Sequence, residues 1–131
     1  TLVLDEIKDP GNLGTIIRAC DWFGVENIIC SNNSVDVYNP KVIQATRGSI
    51  ARVNVYYTNL EEMINNLPNK FPIYGAFMDG KNISDLNLEK NTLLVIGSES
   101  FGISKKVSEL ISEKIAIKRE KKGNGKIHIN Y

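Results

Sequence analysis

At 131 residues the chain has the length of one ordinary domain, enough to bury a core of its own. Its 42% hydrophobic and 24% charged content excludes a disordered or fibrous protein, and no run approaches the roughly 20 apolar residues that span a bilayer. The formal net charge of +1 is silent on a nucleic-acid partner.

Short apolar runs alternate with amphipathic stretches. Leu2 to Ile7 reads as a strand ending at the turn Lys8-Asp9-Pro10-Gly11. A helix follows, with Asn12 as its cap and Leu13, Ile16, Ile17 and Cys20 on one face, and Gly24 supplies the left-handed residue that ends it. Asn27 to Cys30 is a second strand. Asn39-Pro40 opens a helix that stops near Gly48. Val53 to Tyr57 is a β-branched and aromatic strand, and Thr58 with Glu61 has the spacing of a capping box for a helix to about Leu67, ended by Pro68.

Ile73 to Phe77 is the next strand, with a loop or single turn at Asn82 to Asn87. Leu93 to Ile96 is a continuous apolar run, as expected of a strand covered on both faces. Ser104 caps a helix carrying Val107, Leu110 and Ile111, and Ile115 to Ile117 is a last strand. Strands alternating with helices, without repeat or linker, predict one α/β domain over residues 1–131: a mostly parallel sheet with helices on both faces.

The two cysteines sit at predicted core positions, and with one histidine no Cys/His metal set can be assembled. The chain begins at Thr1 with neither a signal peptide nor an initiator methionine, so a reduced cytoplasmic setting is the default and a longer parent chain is expected. Lys114, Lys118, Arg119, Lys121, Lys122 and Lys126 face only Glu113 and Glu120, and on charge alone a solvated tail is the simpler account. His128, in that tail, reads more simply as a solvated residue than as a base.

Ligands of such sheets usually bind beyond the carboxyl ends of the strands, which directs attention to three loops: 8–14, 97–104 and 118 onward. Asp9-Pro10-Gly11-Asn12-Leu13-Gly14 is a strand–glycine turn–helix unit suited to an anion, with neither dinucleotide nor P-loop spacing. Arg18, one turn on, is equally a snorkelling surface residue or a phosphate or ribose contact. Gly97-Ser98-Glu99-Ser100-Phe101-Gly102 puts two glycines and a carboxylate after a buried strand, where a ligand can approach the backbone.

Together these loops resemble the SpoU/TrmH family of RNA ribose 2′-O-methyltransferases. Asp9 to Cys20 is similar to its motif 1, Leu94 to Ser104 to its motif 2, and Asn39-Pro40-Lys41 with Ala45-Thr46-Arg47-Gly48-Ser49 to the stretch between, in family order and spacing. The resemblance implies a SPOUT-type fold whose C-terminal segment threads a loop into a trefoil knot, and S-adenosylmethionine as methyl donor. It places Gly97, Ile117 and Ile129 at the cofactor, and Arg18, Asn12 and Glu99 at the catalytic site facing RNA and ribose. It also implies a homodimer, with tRNA or rRNA as substrate, and needs no metal. By the same resemblance Arg18 is the favoured activator; its guanidinium is a poor proton acceptor, so a role in fixing the adjacent phosphate and stabilising alkoxide charge is expected.

Motif 3 departs from the family. Ile117 is followed by Lys118, not proline; His128-Ile129-Asn130 stands for Ser-Leu-Asn; the closing helix and the N-terminal RNA-binding extension are not in this sequence. Ser100 replaces a common glycine in motif 2. A working methyltransferase and a knot domain that binds RNA without turnover are therefore both open. A Rossmann nucleotide-binding domain lacks its glycine fingerprint here. Little aromatic or basic patterning outside the tail favours recognition of folded RNA shape.

Overall fold

The computed structural model describes residues 1–82 and 91–116. Six strands, β1 (Leu2–Leu4), β2 (Asn27–Ser31), β3 (Asn54–Thr58), β4 (Ile73–Asn82), β5 (Leu93–Ile96) and β6 (Glu113–Ala116), form one sheet in the order β3-β2-β1-β5-β4-β6. Every neighbouring pair is parallel. The helices are α1 (Pro10–Phe23), α2 (Pro40–Thr46), α3 (Leu60–Asn65) and α4 (Lys105–Ser108), with a 3₁₀ turn at Ser49–Ala51. The expected α/β architecture is present.

The alternation of a strand's side chains divides the core in two. Leu4, Ile28 and Cys30 turn to one face and pack with Leu13, Ile17 and Cys20 of α1 and Val42 of α2. Val3, Leu93 and Val95 turn to the other and pack with Leu60 and Ile64 of α3 and Val107 of α4. Helices thus cover both faces. Gly14 brings α1 against α2 so closely that a Cβ there would lie 2.3 Å from the Ala45 Cβ.

Several boundaries move for identifiable reasons. β1 stops at Leu4 because Glu6 adopts φ 56°; the amides of Glu6 and Ile7 then donate to the hydroxyls of Ser31 and Ser34 instead of to a ladder. Pro10, lacking an N–H, suits the first helical position, so α1 begins two residues before Asn12 and its cap is Asp9, whose Oδ2 accepts the Asn12 N–H at 2.8 Å. Gly24 ends α1 in the left-handed conformation, as expected. Asn59, not Thr58, caps α3 by accepting the Glu62 N–H, because Thr58 is still paired in β3.

β4 runs five residues beyond Phe77. It pairs with β6 twice, Ala76 and Lys81 both opposite Ile115, with Phe77 to Gly80 bulging between. A Cβ at Gly80 would fall 2.4 Å from the Ile115 carbonyl carbon, so only glycine closes the bulge. β6 is seen from Glu113; its expected end at Ile117 lies outside the described residues, as do 83–87 of the expected loop, Ile129 and the segment a knot would need.

Candidate functional site

A cavity of about 720 Å³ opens beyond the carboxyl ends of β1 and β5. One wall is the loop between β1 and α1 with the α1 stripe Asn12, Ile16, Ala19 and Phe23, whose spacing of four, three and four residues is one helical face. The opposite wall is Ile96 to Phe101. Of the residues singled out in the sequence, Asn12, Gly97 and Glu99 therefore share one cavity. Because Asp9 takes the capping role, Asn12 is not consumed as the cap.

Arg18 lies on the neighbouring α1 stripe with Gly11 and Trp22; it is exposed and is not part of the cavity lining. Trp22 beside it is 85% exposed. Ile117 and Ile129 lie outside the described residues.

The second loop is built rigidly. The Ser98 N–H donates to the Gly102 carbonyl at 3.2 Å, and the Gly102 N–H donates back at 2.8 Å. The Phe101 N–H donates to Ser98 Oγ at 3.0 Å. Glu99 and Ser100 are thereby held at an exposed tip. Gly97 is buried beneath them, and a Cβ on it would meet the Gly102 carbonyl carbon at 2.1 Å. Gly102 turns the chain with φ 69°. Asp5, 3% exposed, accepts the Ser104 N–H where the loop enters α4.

The cavity walls combine apolar surface (Ile7, Ile16, Ile96, Phe101) with the carboxylates of Glu6, Asp9 and Glu99 and one cation, Lys8. Such a lining suits a flat apolar group joined to a cationic one. Among the described residues no three His, Cys, Asp or Glu side chains gather as a metal site. The thiols offer no nucleophile, because burial pushes Cys20 up to about 11 and Cys30 up to about 12. No helix among the described residues is long and apolar enough to cross a membrane.

Asp5 and Glu6 were not among the candidates read from sequence. The only sequence signal for either is an acidic pair directly after the apolar run Leu2-Val3-Leu4.

Residues 1–124 match the SpoU rRNA Methylase family. The 23S rRNA (guanosine(2553)-2′-O)-methyltransferase RlmP of Bacillus subtilis is 29% identical over 104 residues, covering 78% of this chain and 42% of that protein. The structure of a TrmH-family protein from Porphyromonas gingivalis superposes with a TM-score of 0.86 at 36% identity, covering 98% of this chain and 53% of that one. The SpoU methyltransferase AviRb from Streptomyces viridochromogenes, in complex with the cofactor AdoMet, gives a TM-score of 0.80 at 25% identity, covering 98% and 53%. The chain thus spans about half the length, or less, of these relatives.

Proposed function

The chain belongs to the SpoU rRNA methylase family, and from that membership we propose that it transfers a methyl group from S-adenosylmethionine to a ribose 2′-hydroxyl of tRNA or rRNA. The observation that carries the reading is the meeting of Asn12 with Gly97 and Glu99 around one cavity at the carboxyl ends of β1 and β5.

The residues present fit the cofactor. At about 720 Å³ the cavity is within the roughly 300–1,000 Å³ of small-molecule sites. Ile16, Ile96 and Phe101 offer apolar surface to a purine, and Glu6, Asp9 and Glu99 favour cationic groups. Gly97 is the described residue proposed to hold the cofactor, with Ile117 and Ile129 joining it. S-adenosylmethionine supplies the electrophilic methyl group.

The chain's own contribution is alignment. Asn12 and Glu99 are proposed to orient the ribose by hydrogen bonds from opposite walls, and orientation alone supplies a large share of a displacement reaction's barrier lowering. Arg18, outside the cavity, fixes the neighbouring phosphate and stabilises charge developing on the 2′-oxygen from the RNA side. The exposed apolar end of α1, with Trp22 at 85% and Phe23 at 78%, supports association with a second copy beside Arg18. A trefoil knot closed by the C-terminal segment and a cytoplasmic setting belong to the same reading.

The test is label transfer from S-adenosylmethionine carrying a radioactive methyl group to bulk tRNA and rRNA, followed by digestion to nucleosides. Label in 2′-O-methylated nucleosides, lost in Arg18→Ala, supports the reading. RNA binding without transfer would instead leave a domain that binds RNA without turnover, the reading that the altered motif 3 favours.

A further inference from the structure

A second cavity, of about 390 Å³, lies beyond the carboxyl ends of β1, β2 and β3, next to the first. Glu6 lines both. Its φ of 56° is in the left-handed region, which costs any residue carrying a Cβ and costs a long side chain more than Asn or Asp. Such a conformation persists only where its surroundings impose it, and it concentrates at binding sites.

The surroundings here are a closed ring of hydrogen bonds. The Glu6 N–H donates to Ser31 Oγ at 2.9 Å, the Ser31 hydroxyl donates to Asn33 Oδ1 at 2.6 Å, and Asn33 Nδ2 donates to Glu6 Oε1 at 2.7 Å. Ser31 is buried. The ring fixes the backbone and the carboxylate of Glu6 together. Its Oε2 accepts no hydrogen bond from the described residues.

The lining selects the chemistry of an occupant. Asn32, Thr58 and Asn59 bring neutral polar groups, and the carboxylates of Asp5, Glu6 and Glu61 outnumber the single cation, Lys106. A phosphate is therefore disfavoured. An ionised carboxylate only accepts, so its partner must donate. Among the parts of an RNA strand, a base edge with adjacent N–H donors meets that demand, and guanine offers N1–H beside its N2 amino group.

We propose that the second cavity is a subsite for the base of a nucleotide flanking the one methylated, with Glu6 as its specificity-determining residue. This rests on the methyltransferase reading, since the first cavity is taken to hold the target ribose. Glu6, as the shared wall, separates target from neighbour. A base contact of this kind adds to recognition of RNA shape and calls for an unpaired flanking nucleotide.

The experiment measures binding of trinucleotides to this chain, saturated with S-adenosylhomocysteine, with guanosine or inosine at either flanking position. Inosine lacks only the N2 amino group. The expected result is binding at least about fivefold tighter for guanosine at one flank, reduced to within about twofold in Glu6→Gly, with the Tm of that variant not lowered. Glycine relieves the left-handed strain, so a purely structural Glu6 would show itself by a fall in Tm. If Glu6→Gly fails to fold, Glu6→Asn, which tolerates the same φ, takes its place.

Equal binding of the two trinucleotides by the unaltered chain overturns the subsite, as does a preference that survives in a folded Glu6 variant. Label transfer to RNA is measured separately. Discrimination without transfer would count against the methyltransferase reading alone, and transfer without discrimination against the subsite alone.

Discussion

Asp5 and Ser104, 99 positions apart in the chain, are joined by a 2.7 Å hydrogen bond from the Ser104 N–H to Asp5 Oδ2. The Asp5 N–H in turn donates to the Ile96 carbonyl at 2.9 Å. One buried residue at the end of β1 thus grips both ends of the loop that carries Gly97 and Glu99. Asp5→Ala removes the acceptor and leaves the Ser104 amide short of a partner, at an expected cost of about 1–3 kcal/mol. Asp5→Asn keeps an acceptor oxygen and should lose less. Urea midpoints read the stability and calorimetric titration reads S-adenosylmethionine affinity, which should weaken in the same order. An unchanged midpoint in Asp5→Ala would show that the bond contributes nothing.

The two glycines of that loop should respond differently to alanine. At Gly97 a Cβ would lie 2.1 Å from the Gly102 carbonyl carbon and 2.2 Å from the Ile103 nitrogen, and neither backbone atom can swing aside. Gly97→Ala therefore displaces the loop, with an expected stability loss of about 1–3 kcal/mol and loss of saturable cofactor binding. At Gly102 a Cβ meets nothing within 4 Å, and only φ 69° is unfavourable. Gly102→Ala should cost about 1 kcal/mol and keep measurable binding. Equal behaviour of the two variants in denaturation and titration would contradict the geometry.

How far the sequence disclosed this arrangement depends on the kind of signal. The α1 face and the apolar run Leu93 to Ile96 were legible because burial on one or both faces leaves a periodic trace. Strand β4 beyond Phe77 was not, since Met78-Asp79-Gly80 has no alternation and bulges between Ala76 and Lys81, whose pairing with Ile115 across the sheet carries the strand on. Glu6 cut β1 short through a backbone angle that local propensity does not favour. The loops around Asn12, Gly97 and Glu99 could be named from motif spacing. Their shared cavity, and the Asp5 grip, are products of parallel β1–β5 pairing between residues some ninety positions apart. Arg18 fell between two readings because it borders the apolar stripe; the helix turns it outward.

That outward position separates folding from activity at Arg18. An exposed side chain with no partner among the described residues should be removable with little effect, so Arg18→Ala is expected to stay within about 0.5 kcal/mol of the unaltered chain in urea. Label transfer to RNA should nonetheless fall to background. Arg18→Lys keeps the charge but not the planar fork of donors, so an intermediate loss is expected if the guanidinium binds phosphate in two places. Near-normal turnover by Arg18→Lys would rule out that two-point contact.

The buried thiols make an alkaline prediction whose sign is set by linkage. Burial raises Cys20 from 9.0 to about 11 and Cys30 from 9.0 to about 12. The folded state then holds the thiol protons more tightly than the unfolded state does. Their contribution to stability is fully present below about pH 9 and is lost as pH climbs toward 11 and 12, with a slope of at most about 1.4 kcal/mol per pH unit for each thiol. Burial likewise raises Tyr57 to about 12, which adds to the decline above pH 10. Urea midpoints between pH 7 and 10.5 should therefore be flat to about pH 8.5 and then fall. Cys30→Ala lowers the midpoint at pH 7, because it empties volume in the core, but it should flatten the alkaline fall. A thiol reagent at pH 8 should modify the native chain far more slowly than the chain in denaturant. Equal rates would mean that these cysteines are reached without unfolding, and burial would then not hold their protons against alkali.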